Sequence, residues 1–156
     1  MDKQQFVTFF LNEEEYGIAA KYVQEVLRKP DKVMEFPDMP AYMPGAILIR
    51  GRIIPILNLK NRYHLTDKSS ASEKKILIIK IKNEMMAILV DDVTDIIEIE
   101  AEKIQPVNDL FTKIGISTIQ GIGEFENRYI YLIRTEDLEK DVMHFTTEED
   151  TVNDNN

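Results

Sequence analysis

Short apolar runs recur along this chain at close spacing, each bounded by polar residues, glycine or proline. They fall at Gln5–Leu11, Glu14–Ile18, Lys32–Phe36, Gly45–Ile49, Arg52–Leu59, Lys74–Lys82, Met85–Val90, Thr94–Glu100, Ser117–Phe125 and Arg128–Ile133. Runs this short, separated by turn-forming residues, predict β-strands. Polar and apolar residues alternate in Lys80-Ile81-Lys82 and in Glu98-Ile99-Glu100, the period-two mark of a strand with one wet face. The earlier part of Lys74–Lys82 is more uniformly apolar and reads as buried on both faces. Pro55 interrupts one run. It has no N–H to give a ladder, so a bulge or an edge is expected there. Asn83-Glu84 and Glu126-Asn127 read as hairpin tips.

One early segment has a helical period instead. From Ile18 to Arg28, Ala19, Ala20, Val23, Val26 and Leu27 share one face, while Lys21, Gln24, Glu25 and Arg28 share the other. Pro30 would stop such a helix. A second helix is predicted from about Thr135, an N-cap residue followed by Glu136 and Asp137, to about Met143 or Phe145. The polar stretch Lys60 to Ser72 reads as a mobile loop. So many short strands in so short a chain predict closed barrels rather than one open sheet, because closure removes exposed edges.

Composition narrows the function classes. The chain has 156 residues, 44% of them apolar, which supports one domain or two small lobes. With no cysteine, disulfides and thiolate chemistry are excluded. The longest uncharged stretch with strong apolar character, Met39 to Ile49, contains Pro40 and Pro44 and is too short to span a bilayer. The apolar run Phe6 to Leu11 is too short for a secretory leader. A soluble, cytoplasmic protein is the expectation.

Charge is unevenly spread. Residues 1–135 hold 18 basic and 20 acidic side chains, whereas residues 136–156 hold 1 and 8. A nearly neutral body lacks the clustered basic charge that a dedicated nucleic-acid binder needs, and the acidic end reads as a disordered tail at 146–156. Within the body, Met39 to Thr66 carries Arg50, Arg52, Lys60 and Arg62 with no acid. Asn83 to Glu102 carries seven acids with no base. Two opposed segments of this kind are either solvated strand faces or complementary docking surfaces.

Catalytic signatures are missing. There is no phosphate-binding loop, and Gly121-Ile122-Gly123 leads into a strand-like run. Gly115 to Ile119 lacks the closing glycine of a nucleophile elbow. The two histidines, His64 and His144, are far apart in sequence, and no metal-ligand spacing occurs. Asp91 and Asp92 are adjacent, and strand neighbours point to opposite faces. No enzyme, cofactor or metal site is expected.

The richest stretch runs from Pro37 to Leu59. Gly45 and Gly51 bracket an apolar strand ending in Arg50. Gly45 permits a close approach of another backbone, and Gly51 permits the turn. Arg50 beside that turn is placed either to staple two strands or to meet a partner's carboxylate.

With these motifs in place, the chain resembles the CheW-like bacterial chemotaxis coupling proteins from about Phe6 to Leu138. The resemblance is carried in order by Phe10-Leu11, Glu15-Tyr16-Gly17-Ile18, Val23-Gln24-Glu25-Val26, the Pro37 to Ile56 blocks, Ala87 to Val93, Ile104-Gln105-Pro106, Gly121-Ile122-Gly123 and Ile130 to Ile133. It implies an all-β fold with short helices, in which two SH3-like five-stranded β-barrels share a hydrophobic seam. One helix would follow the second strand and one would end the chain. A single domain is expected over residues 5–145. Its first lobe would cover about 14–80, and its second about 84–134 plus the N-terminal strand 5–11.

The resemblance also implies a non-catalytic adaptor. Its partners would be the cytoplasmic tip of a chemoreceptor and the regulatory domain of the chemotaxis histidine kinase, at membrane-associated receptor arrays, with no membrane insertion and no nucleic acid. By the same resemblance Val23 and Glu25 match helix-end positions implicated in partner contact. Gly45 and Arg50 match positions important for receptor coupling, and Phe111 falls in a region used between ring neighbours. Leu48, Asn58 and Arg134 depart from the family pattern, which usually has Asn, Asp, and Asp or Asn there. The competing reading is a small-barrel nucleic-acid or ribosome-associated module using Arg50, Arg52, Lys60 and Arg62.

Overall fold

The apolar runs form strands whose alternate residues enter two different cores. The computed structural model describes residues 2–70, 73–107 and 119–138. Its strands are β1 (Lys3–Leu11), β2 (Glu14–Ala19), β3 (Val23–Arg28), β4 (Gly45–Ile49), β5 (Arg52–Asn58), β6 (Lys75–Ile81), β7 (Glu84–Val90), β8 (Asp92–Glu100), β9 (Ile104–Pro106), β10 (Ile119–Phe125) and β11 (Arg128–Ile133). A short helix α1 (Leu59–Arg62) follows β5. The strands form two sheets, one of six in the order β8-β1-β2-β11-β10-β9 and one of five in the order β3-β6-β7-β5-β4.

The five-stranded sheet curls around Ile47, Ile54, Ile56, Ile76, Ile78 and Ala87. The six-stranded sheet encloses Phe6, Ile97, Ile99, Ile130 and Leu132. Its curl brings β8 against β10, where a Cβ on Gly123 would meet Ile99 at 2.7 Å. A third core lies between the lobes. Val7, Phe9, Leu11 and Ile18 from one sheet meet Leu57, Leu77, Ile79, Met86 and Ile88 from the other. The uniformly apolar strand β6 explains the arrangement. Ile76 and Ile78 point into their own barrel, while Leu77, Ile79 and Ile81 fill the seam. Each such side chain removed from water contributes about 1.5–3 kcal/mol.

Several expectations need correction. A helix does follow the second strand, but it is one short 3-10 turn and not the stretch from Ile18 to Arg28. Residues Ala20–Tyr22 form a single 3-10 turn and Val23–Arg28 is strand β3. Val23, Glu25 and Leu27 are half-buried while Gln24, Val26 and Arg28 are exposed. This period-two pattern and pairing to β6 override the helical stripe. The lobes also divide elsewhere. β2, expected in the first lobe, pairs with β1 and β11 in the six-stranded sheet. β7, expected in the second, lies inside the five-stranded sheet between β6 and β5. The lobe with the N-terminal strand has six strands rather than five, because β9 adds to β10.

Pro55 sits in an internal strand, opposite Ala46 on β4. The ladder from β5 to β7 begins only at Ile56, so an N–H at Pro55 is not needed on that side. The tip of the β6–β7 hairpin is Lys82-Asn83, with φ of 55° and 91°, one residue before the expected place. Residues 135–138 are helical. The rest of the predicted C-terminal helix and the acidic tail lie outside the described residues.

Candidate functional site

Two expected site residues, distant in sequence, meet in space. The β4–β5 hairpin turns through Arg50 and Gly51, whose φ angles of 49° and 79° are both left-handed. Such paired values make the tight two-residue turn that matches strand twist. Glycine occupies the second position without strain, and Arg50 takes the first. The turn directs the Arg50 guanidinium to Glu25 on β3. Nη1 donates to Oε1 at 2.5 Å and Nη2 to Oε2 at 2.9 Å. The Arg50 hydrogen bond holds the Glu25 carboxyl below its ordinary value, and the same bond raises Arg50. The Arg50 side chain is 73% exposed and Glu25 26%, so the pair is a surface latch rather than a core staple.

Val23 and Glu25 also line a groove of about 710 Å3 between the two sheets. One wall is the β3 edge with Val23 and Val26. The other is the β8 edge with Val93 and Ile96, and Val7 and Ala20 add to the apolar lining. Val23 packs against the seam core as well, so one side chain joins groove and core. Val26 and Ile96 are 43% and 59% exposed. Sequence reading missed Val26, Val93 and Ile96 as groove residues. Their only signal is an apolar residue at an outward strand position.

Gly45 has a different task. A Cβ at this position would lie 2.0 Å from the Met34 carbonyl oxygen. Its absence lets Met34 and Ala46 exchange backbone hydrogen bonds of 2.8 and 2.9 Å. Gly45 therefore seats the chain entering the hairpin that carries Arg50. Phe111 lies outside the described residues. Of the three departures, Leu48 is 65% exposed and sits directly opposite Ile53, itself 63% exposed. Asn58 caps α1 by accepting from Asn61 N at 3.2 Å, which an aspartate would also do. Arg134 lies 3.7 Å from Asp137.

The basic run does not form one free face. Arg50 is taken by Glu25. Lys60 is buried and bonded to Asp67 at 2.6 Å and Asp91 at 2.7 Å. Arg62 lies over the Tyr42 ring at 5.8 Å. The loop after α1 is tied down rather than loose, since Asn12 donates to Thr66 O and accepts from Lys68 N. Among the described residues no helix is long and apolar enough to cross a membrane.

Comparison with known proteins places this geometry. A family model described as the CheW-like domain matches residues 5–142. The chain is 32% identical over 133 residues to the chemotaxis protein CheW of Treponema pallidum, covering 83% of this chain and 78% of that one. It is 29% identical over 135 residues to the CheW of Klebsiella aerogenes, with coverages of 86% and 81%. The crystal structure of the scaffolding protein TtCheW from Thermoanaerobacter tengcongensis superposes with a TM-score of 0.76 at 28% identity, covering 85% of each chain. Paired β-lobes, a shared seam and sequence similarity across residues 5–142 together establish that the chain belongs to the CheW-like family.

Proposed function

We propose that this protein is a non-catalytic chemotaxis adaptor. It couples the cytoplasmic tip of a chemoreceptor to the regulatory domain of the chemotaxis histidine kinase, and it works in the cytoplasm at membrane-associated receptor arrays. The observation that carries the reading is the apolar groove between the two sheet edges, with the Glu25–Arg50 latch on its β3 side. A receptor tip is helical, and an amphipathic helix seats its apolar face in such a groove through residues at helical spacing. The kinase would dock elsewhere on the lobes, with Phe111 near a neighbour in the ring. Such contacts are individually weak and gain strength by multivalency.

The latch gives a direct test. Arg50→Ala is expected to keep the fold, because the side chain is exposed, and to lose receptor coupling in a reconstituted kinase assay. Val23→Asp should weaken receptor binding by placing a charge on the groove wall. If Arg50→Ala signals normally, the latch has no part in coupling. A melting temperature far below wild type would make Arg50 a structural staple instead.

A further inference from the structure

Next in the chain to the β8 wall of the groove lies a charge cluster, buried at Asp91 and Lys60, that the adaptor reading does not use. Asp91 is the single residue between β7 of one sheet and β8 of the other, and it is 2% exposed. Its Oδ1 accepts from Lys60 Nζ at 2.7 Å and from Lys74 Nζ at 2.6 Å. Its Oδ2 accepts from the Asn12 backbone N–H, in the β1–β2 turn, at 2.6 Å. Asp67 closes the cluster, 2.6 Å from Lys60 and 3.7 Å from Lys74. Two ammoniums and two carboxylates thus balance. They join the β1–β2 turn, α1, the segment before β6 and the crossover between the sheets.

The position of this cluster matters because it stands at the start of β8, the strand that forms one wall of the groove. β8 is an edge strand with one neighbour, β1. Their register shifts between Thr8 and Phe9, at the level of Val93 and Asp95. A ladder irregularity of this kind bends a strand and leaves a residue unpaired. Val93 to Ile96 are the groove residues of β8, and Thr94, which the ladder skips, is held by side chains, sharing a hydrogen bond with the Thr8 hydroxyl and donating to Glu15 at 2.9 Å. Asp91 lies just before that wall, and Lys74 lies just before Lys75, the β6 residue in the groove.

We infer that the Asp91 cluster is an inter-lobe clasp that holds the β8 wall of the groove against the β3 wall. Asp91 is therefore a positioning residue for whatever the groove receives. It acts through Val93 and Ile96 without touching the partner. The link from clasp to partner binding rests on the adaptor reading, whereas the link from clasp to groove width does not.

The test reads the two links separately. The chain has no cysteine, so Gln24→Cys and Glu98→Cys place one spin label on each edge strand, and pulsed dipolar spectroscopy reports the distance between them. Asp91→Asn is expected to broaden and shift a narrow wild-type distribution. Lys74→Met, which leaves the Lys60–Asp91 pair, should broaden it less. Arg28→Ala, which breaks a surface pair with Glu73, should leave it unchanged. A folded Asp91→Asn variant with the wild-type distribution would overturn the clasp. Should that variant fail to fold, an unchanged distribution in Lys74→Met would overturn it equally. Titration with a soluble chemoreceptor tip fragment should then show about tenfold weaker binding to Asp91→Asn, a loss of about 1.4 kcal/mol. A shifted distribution with unchanged binding would keep the clasp and remove the groove as the receptor's seat.

Discussion

Asp91→Asn is expected to lower the free energy of unfolding by about 3 kcal/mol, the low end of the range for breaking a buried ion pair. The substitution preserves shape but leaves two ammoniums facing a neutral amide. Lys60, with only 9% of its side chain exposed, keeps Asp67, which is 65% exposed and opens the cluster to water. That remaining partner is why the lower figure applies. Urea unfolding of wild type and variant measures the difference directly.

The same cluster gives a pH signature. Burial pushes the Asp91 carboxyl up, but the hydrogen bonds from Lys60, Lys74 and Asn12 N–H outweigh it, so its pKa falls below the ordinary 3.8. The Lys60 hydrogen bond holds Asp67 at about 2. Burial pulls Lys60 down, and its bonds to the two aspartates more than reverse that, so it titrates above 10.5. Lowered carboxyls stabilise above pH 3.8 and lose that contribution as pH falls toward the folded values. A raised lysine stabilises below pH 10.5 and loses its contribution as pH rises through the folded value. Stability from the cluster is therefore full between those limits and falls on both sides. Asp91→Asn should flatten the acid limb, because the more deeply buried carboxylate is gone. An acid limb as steep as wild type would place the acid sensitivity elsewhere.

Gly45→Val is expected to cost about 3 kcal/mol or more, the upper range for forcing atoms into a packed interior. The obstacle is backbone, not a flexible side-chain end. A Cβ would sit 2.0 Å from the Met34 carbonyl oxygen. The bridge between Met34 and Ala46 must open, losing two hydrogen bonds worth about 1 kcal/mol each. The hairpin carrying Arg50 then loses its support at the β4 end. Gly45→Ala meets the same carbonyl and should be nearly as damaging. Signalling defects at this position are thus expected to track stability. Thermal unfolding decides it, since a Gly45→Val protein that melts like wild type while failing to couple would make Gly45 a contact residue.

How far the sequence foretold this molecule depends on the range of the interaction involved. Strands with local alternation were legible, and β6 showed its double burial in an unbroken run from Ile76 to Ile79. β3 was misread because Val23, Val26 and Leu27 satisfy a helical stripe. Only Ile76 to Ile79 on the partner strand decide between the two periods. The presence of two lobes came from the resemblance, but their boundary was not legible, since the expected break near residues 80–84 cuts the β6–β7 hairpin. β2 and β7 join their sheets through hairpins with β1 and β6, and the parallel pairings to β11 and β5, distant in sequence, are what fix their inner places there.

The site was readable in part. Arg50 stood out beside Gly51, but its meeting with Glu25 needs the left-handed turn that aims it. Asp91 read as one more acid in a run of seven, since neither Lys60 nor Lys74 is near it in sequence. The groove itself has no motif. It exists because two sheet edges face each other across the seam.

Titration of the intact chain with a soluble chemoreceptor tip fragment, followed by methyl NMR, tests the adaptor account most directly. The account predicts saturable binding with shifts concentrated at Val23, Val26, Val93 and Ile96, and loss of that binding in Arg50→Ala. No saturable binding, or shifts confined to the outer faces of the lobes with the groove methyls unmoved, would contradict it.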